Sequence, residues 1–291
     1  MGKSRVAVDL ALRFEGEVIN GDSVQVYRGF DIGTDKPGPE ARRGVRHHLI
    51  DIVDPGVQFT AADFVREALA AAREIAGRGR LPIVAGGTGL YLKALLDGLF
   101  PGPGRDQALR DALETEAREK GLETLFRRLE AVDPAYARKI GERDRIRIVR
   151  ALEVYEATRR PLSEHFLRTE SPVKGVEVIK IGLRLDRQAL FRRIEDRVDR
   201  MFEKGLVEEV RGLLQRGIPE SAPPFRALGY RHVLKHFRGE MSLEDTVART
   251  KLDTRHYAKR QMTWFRKMDG VAWFSPDDGP GLERDLAKPL Q

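Results

Sequence analysis

Gly2-Lys3-Ser4 stands directly before a helical pattern, and that junction constrains the fold more than any other stretch of the chain. Gly-Lys-Ser is the closing half of the phosphate loop G-x-x-x-x-G-K-[ST], which joins a buried strand to a helix. Its backbone N–H groups cradle phosphates, its Lys reaches their oxygens and its hydroxyl holds Mg²⁺. The helix such a loop requires is present as a pattern, because Val6, Ala7, Leu10, Ala11 and Phe14 share one face. Met1 occupies the place of the last variable residue, so the first half of the loop is absent. Three residues recur by chance in many chains, and the remaining sequence has to decide.

The first hundred residues alternate strand and helix. Glu17-Val18-Ile19-Asn20 reads as a short strand ended by Gly21-Asp22-Ser23. Thr60-Ala61-Ala62-Asp63 resembles a capping box and opens a helix through about Ile75, which Gly77 and Gly79 stop. Leu81-Pro82-Ile83-Val84-Ala85 is a compact apolar run, as expected of a strand buried on both faces. Gly86-Gly87-Thr88-Gly89 then turns the chain into a helix from Leu90 to about Leu96. This is a parallel α/β pattern. After Pro101-Gly102-Pro103-Gly104 the chain becomes helical and heavily charged, with no convincing strand from Arg105 to Leu167. A strand returns at Val178–Leu183, long helices follow around 187–216 and 242–267, and Val271–Phe274 reads as a last strand. The expected organisation is a discontinuous α/β core, 1–103 with 170–291, interrupted by a helical insertion at 104–169.

The chain has no cysteine, which excludes disulfides and thiolate metal sites. No apolar run approaches the length of a bilayer span and no signal-peptide pattern is present, so the cytoplasm is the default expectation and no membrane partner is expected. The net charge of +7 favours polyanionic partners. Between Arg249 and Lys267 seven basic residues stand against Asp253 alone, a net of +6. Lys251, Arg255 and Lys259 recur every fourth residue, along one helix face. Such a stripe is either a polyanion-binding face or an ordinary solvated one.

In open parallel sheets, ligands bind beyond the carboxyl ends of the strands. Asp22 follows one strand and Thr88 another, and with Gly2-Lys3-Ser4 at a third turn the three would meet in one crevice. A carboxylate beside a phosphate site reads as a general base or a Mg²⁺ contact. It reads equally well as a turn residue or helix cap. His47 and His48 are neighbours without a metal-binding spacing, which favours hydrogen-bonding roles. Trp264 and Phe265, at helical spacing, are expected to pack in the core. No Gly-x-Ser-x-Gly elbow or Gly-x-Gly-x-x-Gly fingerprint occurs.

Several longer segments carry a family resemblance. They are Gly21-Asp22-Ser23-Val24-Gln25-Val26-Tyr27-Arg28-Gly29, Asp31-Ile32-Gly33-Thr34 with Lys36-Pro37, and His47-His48-Leu49-Ile50-Asp51-Ile52 with Asp54-Pro55. They continue as Gly86-Gly87-Thr88-Gly89-Leu90-Tyr91, Arg150-Ala151-Leu152-Glu153-Val154, Arg226-Ala227-Leu228-Gly229-Tyr230-Arg231, and Lys259-Arg260-Gln261 with Thr263-Trp264. In this order, from residue 2 to about 275, the chain resembles the tRNA dimethylallyltransferase (isopentenyltransferase) family.

The resemblance implies a P-loop NTPase-like parallel sheet flanked by helices, with a helical insertion domain that embraces the anticodon stem. It implies transfer of a dimethylallyl group from its diphosphate to N6 of an adenine beside the tRNA anticodon (position 37). By that likeness Asp22 is the general base, Thr88 and Arg197 act at the leaving group, Gly2, Lys3 and Ser4 bind the diphosphate, and Ser4 contacts Mg²⁺. The implied tRNA contacts are Asp22, Ser23, Val24 and Gln25; Ile146, Arg147, Ile148, Val149 and Arg150; Arg226, Ala227, Leu228, Gly229, Tyr230 and Arg231; and Lys259, Arg260 and Arg266. The partners expected are the tRNA anticodon stem-loop and dimethylallyl diphosphate, and the expected state is a monomer.

The chain departs from the family at its start, where a strand and a Gly-Pro-Thr stretch would precede Gly2. As written it is therefore expected to be destabilised and weak as an enzyme. Two alternatives stand beside the prenyltransferase. One is a phosphotransferase of the nucleotide-kinase type or a prenyltransferase of free adenylate; the other is a tRNA-binding protein without activity.

Overall fold

The computed structural model describes residues 2–100 and 102–278. They form two compact units, one of residues up to Ala94 together with those from Gly175 onward, the other Leu95–Lys174.

The first unit begins with α1 (Lys3–Arg13), followed by β1 (Gly16–Asn20), α2 (Pro39–Arg42), β2 (His47–His48), α3 (Ala61–Gly77), β3 (Leu81–Ala85) and α4 (Gly89–Asp97), inside which the division between units falls. The three strands form a parallel sheet in the order β2-β1-β3, with Val18 opposite His47 and Gly16 to Asn20 opposite Leu81 to Ala85. Central β1 is buried at every position. That includes Glu17, whose carboxylate takes His48 Nε2 at 2.7 Å and Arg78 at 2.8 Å. His47 is likewise engaged, through Nδ1, with the Val45 carbonyl at 2.9 Å. β3 is half-buried along its length, not buried on both faces as its apolar run implies. The reason is topological: among the described residues β3 is the edge of its sheet and pairs with β1 alone.

The capping box at Thr60 is formed in both directions, the Asp63 carboxylate accepting from Thr60 N–H and the Thr60 hydroxyl accepting from Asp63 N–H. It starts α3 where the local chemistry requires.

The unit continues with β4 (Lys180–Leu183), α10 (Arg187–Glu203), α11 (Leu206–Gln215), a 3₁₀ turn at Pro223–Arg226, α12 (Tyr230–Phe237), α13 (Leu243–Phe265) and β5 (Val271–Phe274). β4 and β5 pair in parallel, Lys180 opposite Val271 through Leu183 opposite Phe274. The helical stretch around 187–216 is two helices, because Gly205 adopts φ +91° and breaks it. α1 serves both sheets. Ala7, Val8 and Ala11 pack on Val18, while Val6 and Leu10 meet Ile83 together with Ile181, Leu183 and Phe274. A larger core joins Val26, Tyr27 and Phe30 to α11 and α12, with the Phe30 ring 4.9 Å from Tyr230 and 5.1 Å from Phe225.

The second unit holds α5 (Gln107–Glu119), α6 (Leu122–Val132), α7 (Pro134–Ala137), α8 (Arg145–Thr158) and α9 (Leu162–Phe166), and no strand among its described residues. Leu113, Leu125, Leu129, Ile148 and Leu152 fill its core. Buried Glu153 accepts from Asp106 N–H at 2.8 Å and pairs with Arg150 at 3.0 Å.

Candidate active site

β1 ends at Asn20 and β3 at Ala85, and the two following turns are locked together by backbone. Gly21 N–H donates to Ala85 O (2.8 Å), and Thr88 N–H donates to Gly21 O (3.3 Å). The chains approach so closely that a Cβ on Gly86 would lie 2.1 Å from the Gly21 carbonyl oxygen. Glycine is therefore required there. The approach delivers the Thr88 hydroxyl to Ser23, whose N–H it accepts at 3.1 Å. α13 backs the same turn. Gln261 Nε2 donates to Gly87 O at 2.6 Å, and the Trp264 ring covers Gly89, where a Cβ would come within 2.5 Å of it. Trp264 is thus exposed on one side rather than packed in a core as its spacing implies, and Phe265 is half-buried.

Asp22 meets both readings of its sequence context. Its Oδ1 caps the turn, accepting from Val24 N–H at 2.8 Å and Gln25 N–H at 3.3 Å. Its Oδ2 accepts no hydrogen bond among the described residues. One oxygen is structural and the other is available to a ligand.

Two cations share this neighbourhood. Lys3 lies half-buried in the first turn of α1. Burial first, and Arg197 second, push its ammonium below the usual lysine range, while Asp22 and Asp35 act the other way. Arg197, on α10, sits with Nη1 3.8 Å from Asp35 Oδ2, and its buried Nε has no hydrogen-bond partner among the described residues. Gly2 caps α1 at φ +82°, and the first helical bond from its turn is Val6 N–H to Gly2 O. The amides of the first turn therefore add donors, and Ser4 is exposed beside them. Two positive side chains and a helix start can gather a polyphosphate, and Asp22 can accept a proton next to it. Sequence reasoning missed Asp35, Tyr257 and Tyr91. Burial chiefly, and Asp22 next, raise the Tyr257 phenol; Asp22 also bears on Tyr91, although burial and Tyr27 matter more there. Tyr91 left a signal as the last residue of the Gly86–Tyr91 segment that carries part of the family resemblance, and Asp35 left one only by lying between Thr34 and Lys36; Tyr257 left none.

The residues the resemblance assigns to tRNA divide into surface and core. Ser23, Val24 and Gln25 are half-buried beside Asp22, while Arg226, Arg231, Lys259, Arg260 and Arg266 are exposed. Tyr230 is fully buried, Gly229 is buried, and Ala227 and Leu228 are half-buried. In the helical unit Ile146 and Arg147 are exposed, but Ile148 and Val149 are wholly buried in its core. They have no surface to offer RNA, because the helix turns them inward. Arg150 spends its guanidinium on Glu153 and on the Pro103 carbonyl at 2.9 Å. The basic stripe on α13 is corrected too. Lys251 pairs with Asp199 (2.7 Å) and Arg255 with Glu195 (3.0 Å), both on α10, so only Lys259 of the three is left unpaired among the described residues.

A cavity of about 480 Å³ is lined by Arg231, His232, Lys235, Met241, Arg249 and Asp253. None of the candidate catalytic side chains lines it. Among the described residues no cluster of carboxylates and histidines could hold a metal ion by itself, and no helix is long and apolar enough to cross a membrane.

Comparison with known proteins gives one answer. The family profile described as IPP transferase matches residues 25–268. A tRNA dimethylallyltransferase of Geobacter metallireducens is 50% identical over 94% of this chain and 88% of its own length. One from Thermomicrobium roseum is 49% identical across all of this chain and 88% of its own length. Among solved structures, the tRNA isopentenylpyrophosphate transferase of Bacillus halodurans aligns with a TM-score of 0.72 at 38% identity, covering 99% of this chain and 93% of that one. A eukaryotic dimethylallyltransferase acting on tRNA aligns with a TM-score of 0.82 at 30% identity, covering 99% and 74%. These likenesses favour neither a nucleotide kinase nor a binding protein without activity. The chain belongs to the IPP transferase family.

Proposed function

We propose that this protein transfers a dimethylallyl group from dimethylallyl diphosphate to the exocyclic N6 amine of an adenine beside the tRNA anticodon. The observation that carries the reading is the meeting of the Asp22 and Thr88 turns through Gly21 and Gly86, with Lys3 and Arg197 in the same electrostatic neighbourhood.

An exocyclic amine is a poor nucleophile until a proton leaves, and Asp22 Oδ2 is an unengaged carboxylate oxygen able to take it. Negative charge grows on the departing diphosphate, where Lys3, Arg197, the Thr88 hydroxyl and the α1 amides of Gly2-Lys3-Ser4 are the stabilising donors. Mg²⁺ fits this arrangement. Ser4 offers an exposed hydroxyl, and a small hard ion of this kind takes most of its ligands from substrate phosphates and water rather than from a protein cage. Bound there, the ion would neutralise diphosphate charge. The target base has to leave the anticodon-loop stack to reach Asp22. Exposed Lys259, Arg260, Arg266, Arg226 and Arg231 are the phosphate contacts in this reading; on the helical unit, taken by itself, exposed Arg147 is a further phosphate contact and exposed Ile146 beside it an apolar one. With tRNA as acceptor the cytoplasm is the compartment of the reaction, and the acting unit in this reading is a monomer.

The test is transfer of label from dimethylallyl diphosphate to unmodified tRNA with Mg²⁺. Label should enter the tRNA and fall by about 10²–10⁴ in Asp22→Asn, the usual worth of a positioned base. Label entering free adenylate instead, or undiminished transfer by the variant, would sink the proposal.

A further inference from the structure

The segment from Asp31 to Lys36 has no regular secondary structure, yet it is held by one carboxylate nearly two hundred residues away. Glu209, on α11, accepts at Oε2 from the N–H groups of Asp31 (3.1 Å) and Ile32 (2.8 Å). At Oε1 it accepts from Gly33 N–H (3.4 Å) and from the Tyr230 hydroxyl (2.5 Å). The Tyr230 oxygen in turn accepts from Gly33 N–H at 3.1 Å. Burial above all, and then Glu209, raise the phenol far above its ordinary range, so it stays a donor. The fit is tight, since a Cβ on Gly33 would lie 2.5 Å from the Tyr230 ring.

The other side of the segment is pinned as well. Gln25 Nε2 donates to Thr34 O at 3.0 Å, and the Lys36 ammonium, 5% exposed, reaches Asp51 (2.6 Å), Asp31 (2.5 Å) and Tyr27 O (2.9 Å). Between these two sets of ties lies Asp35, at φ +54°, whose carboxylate is 3.8 Å from Arg197 and whose charge acts on Lys3.

We propose that Glu209 is a positioning residue for the transfer reaction: bound to Tyr230 and to three backbone amides, it fixes the 31–36 segment so that Asp35 holds Arg197 in place for the diphosphate, which Arg197 receives together with Lys3. The inference rests on the reading above that these two cations receive the diphosphate. Glu209 touches no substrate. It acts through Asp35, and Tyr230, matched by its motif to tRNA binding, belongs to this clamp instead.

The experiment compares Glu209→Gln, Asp35→Asn and the double variant with the unaltered protein. It measures calorimetric affinity for dimethylallyl diphosphate with Mg²⁺, affinity for tRNA, and amide exchange over residues 31–36. A glutamine side chain at this position would offer one acceptor oxygen and a competing N–H₂, so several donors lose their partner. Glu209→Gln should exchange faster at 31–33 and bind the donor about tenfold more weakly, the worth of one charge-assisted hydrogen bond. tRNA affinity should stay within about twofold, and the double variant should be no worse than the poorer single one, as coupled neighbours behave. Unchanged donor affinity in a folded Glu209→Gln, equal losses for both ligands, or additive effects would each overturn the proposal. If Glu209→Gln does not fold, Tyr230→Phe, which keeps the three amide bonds to Glu209 but removes the hydroxyl that joins Glu209 to Gly33, carries the test with about a threefold loss expected. Should the unaltered protein bind tRNA but no dimethylallyl diphosphate, the functional reading fails. Exchange then judges the clamp alone, faster at 31–33 upholding it and unchanged overturning it.

Discussion

Adding a single methyl group at Gly86 is the sharpest test of how the site is assembled. A Cβ there would lie 2.1 Å from the carbonyl oxygen of Gly21, 2.3 Å from its carbonyl carbon and 2.5 Å from its Cα. All three are backbone atoms, so no rotamer change relieves the clash and the two turns must move apart by about 1 Å or more, toward ordinary contact. The bonds that join them are Gly21 N–H to Ala85 O and Thr88 N–H to Gly21 O. Losing or stretching both costs about 1–3 kcal/mol, and overpacking strain adds about 1–3 kcal/mol, so Gly86→Ala should destabilise by about 2–6 kcal/mol. Thr88 and Asp22 would shift with their turns, and a displacement of about 1 Å costs on the order of 10² in rate. Gly212→Ala is the control. Gly212 lies within α11 with nothing near its added Cβ, so that variant should gain up to about 1 kcal/mol of helix propensity and keep its activity. Urea unfolding gives the stability and single-turnover transfer gives the rate. A Gly86→Ala protein as stable and as fast as Gly212→Ala would refute the claim that this backbone contact builds the site.

Other outcomes follow from particular interactions. Replacing Lys259, Arg260 and Arg266 together by Gln should weaken tRNA binding and lower its salt dependence by roughly one logarithmic unit of slope for each phosphate no longer neutralised, whereas Lys251→Gln should leave that slope unchanged because Lys251 is engaged by Asp199; titrating tRNA at several salt concentrations separates them. Ile148→Ala should cost about 2–5 kcal/mol as a core truncation, and exposed Ile146→Ala no more than about 0.5 kcal/mol, both read from denaturant midpoints. Burial alone would raise the Glu17 carboxyl, but hydrogen bonds from His48 and Arg78 outweigh it and hold the folded value below the ordinary 4.5. Its contribution is then present above about pH 4.5 and lost as pH falls through the depressed folded value, so melting temperature should drop on that acid limb and drop less steeply in Glu17→Gln.

What the sequence makes legible here is chemistry that acts between neighbours along the chain. The Thr60–Asp63 capping box spans three residues, and both of its hydrogen bonds form. The apolar face from Val6 to Ala11 is one turn repeating, and it is buried. Asp22 and Thr88 are recognisable because each lies in the turn that follows a strand, and a parallel pairing of Asn20 with Ala85 brings two such turns to the same end of the sheet. Their register is a long-range fact, but parallel topology constrains it strongly. Glu209 lies beyond that kind of reasoning. In Gly-Leu-Val-Glu-Glu-Val it is one of two adjacent acids on an amphipathic helix, and nothing local says that Glu209 reaches the amides of Asp31, Ile32 and Gly33 while Glu208 does not.

The basic stripe shows the same limit from the opposite direction. Lys251, Arg255 and Lys259 are equivalent in spacing, and their shared helix face is real. What differs is α10 beside it, where Asp199 and Glu195 answer the first two and nothing among the described residues answers Lys259. Charge periodicity identifies a face; the charges packed against that face decide whether it is a packing surface or a binding surface. The division falls along α13 itself. Its middle turns are tied by ion pairs to α10, the helix that carries Arg197. Its last turns, with Gln261 on Gly87 and Trp264 on Gly89, back the turn that holds Thr88. Lys259, Arg260 and Arg266, which have no ion-pair partner among the described residues, lie in and just after those last turns, so the helix that buttresses the chemistry also sets positive charge beside it. Lys259→Gln should therefore weaken tRNA binding more than Lys251→Gln does, although each variant lowers the net charge of α13 by one, because Lys251 is already neutralised by Asp199.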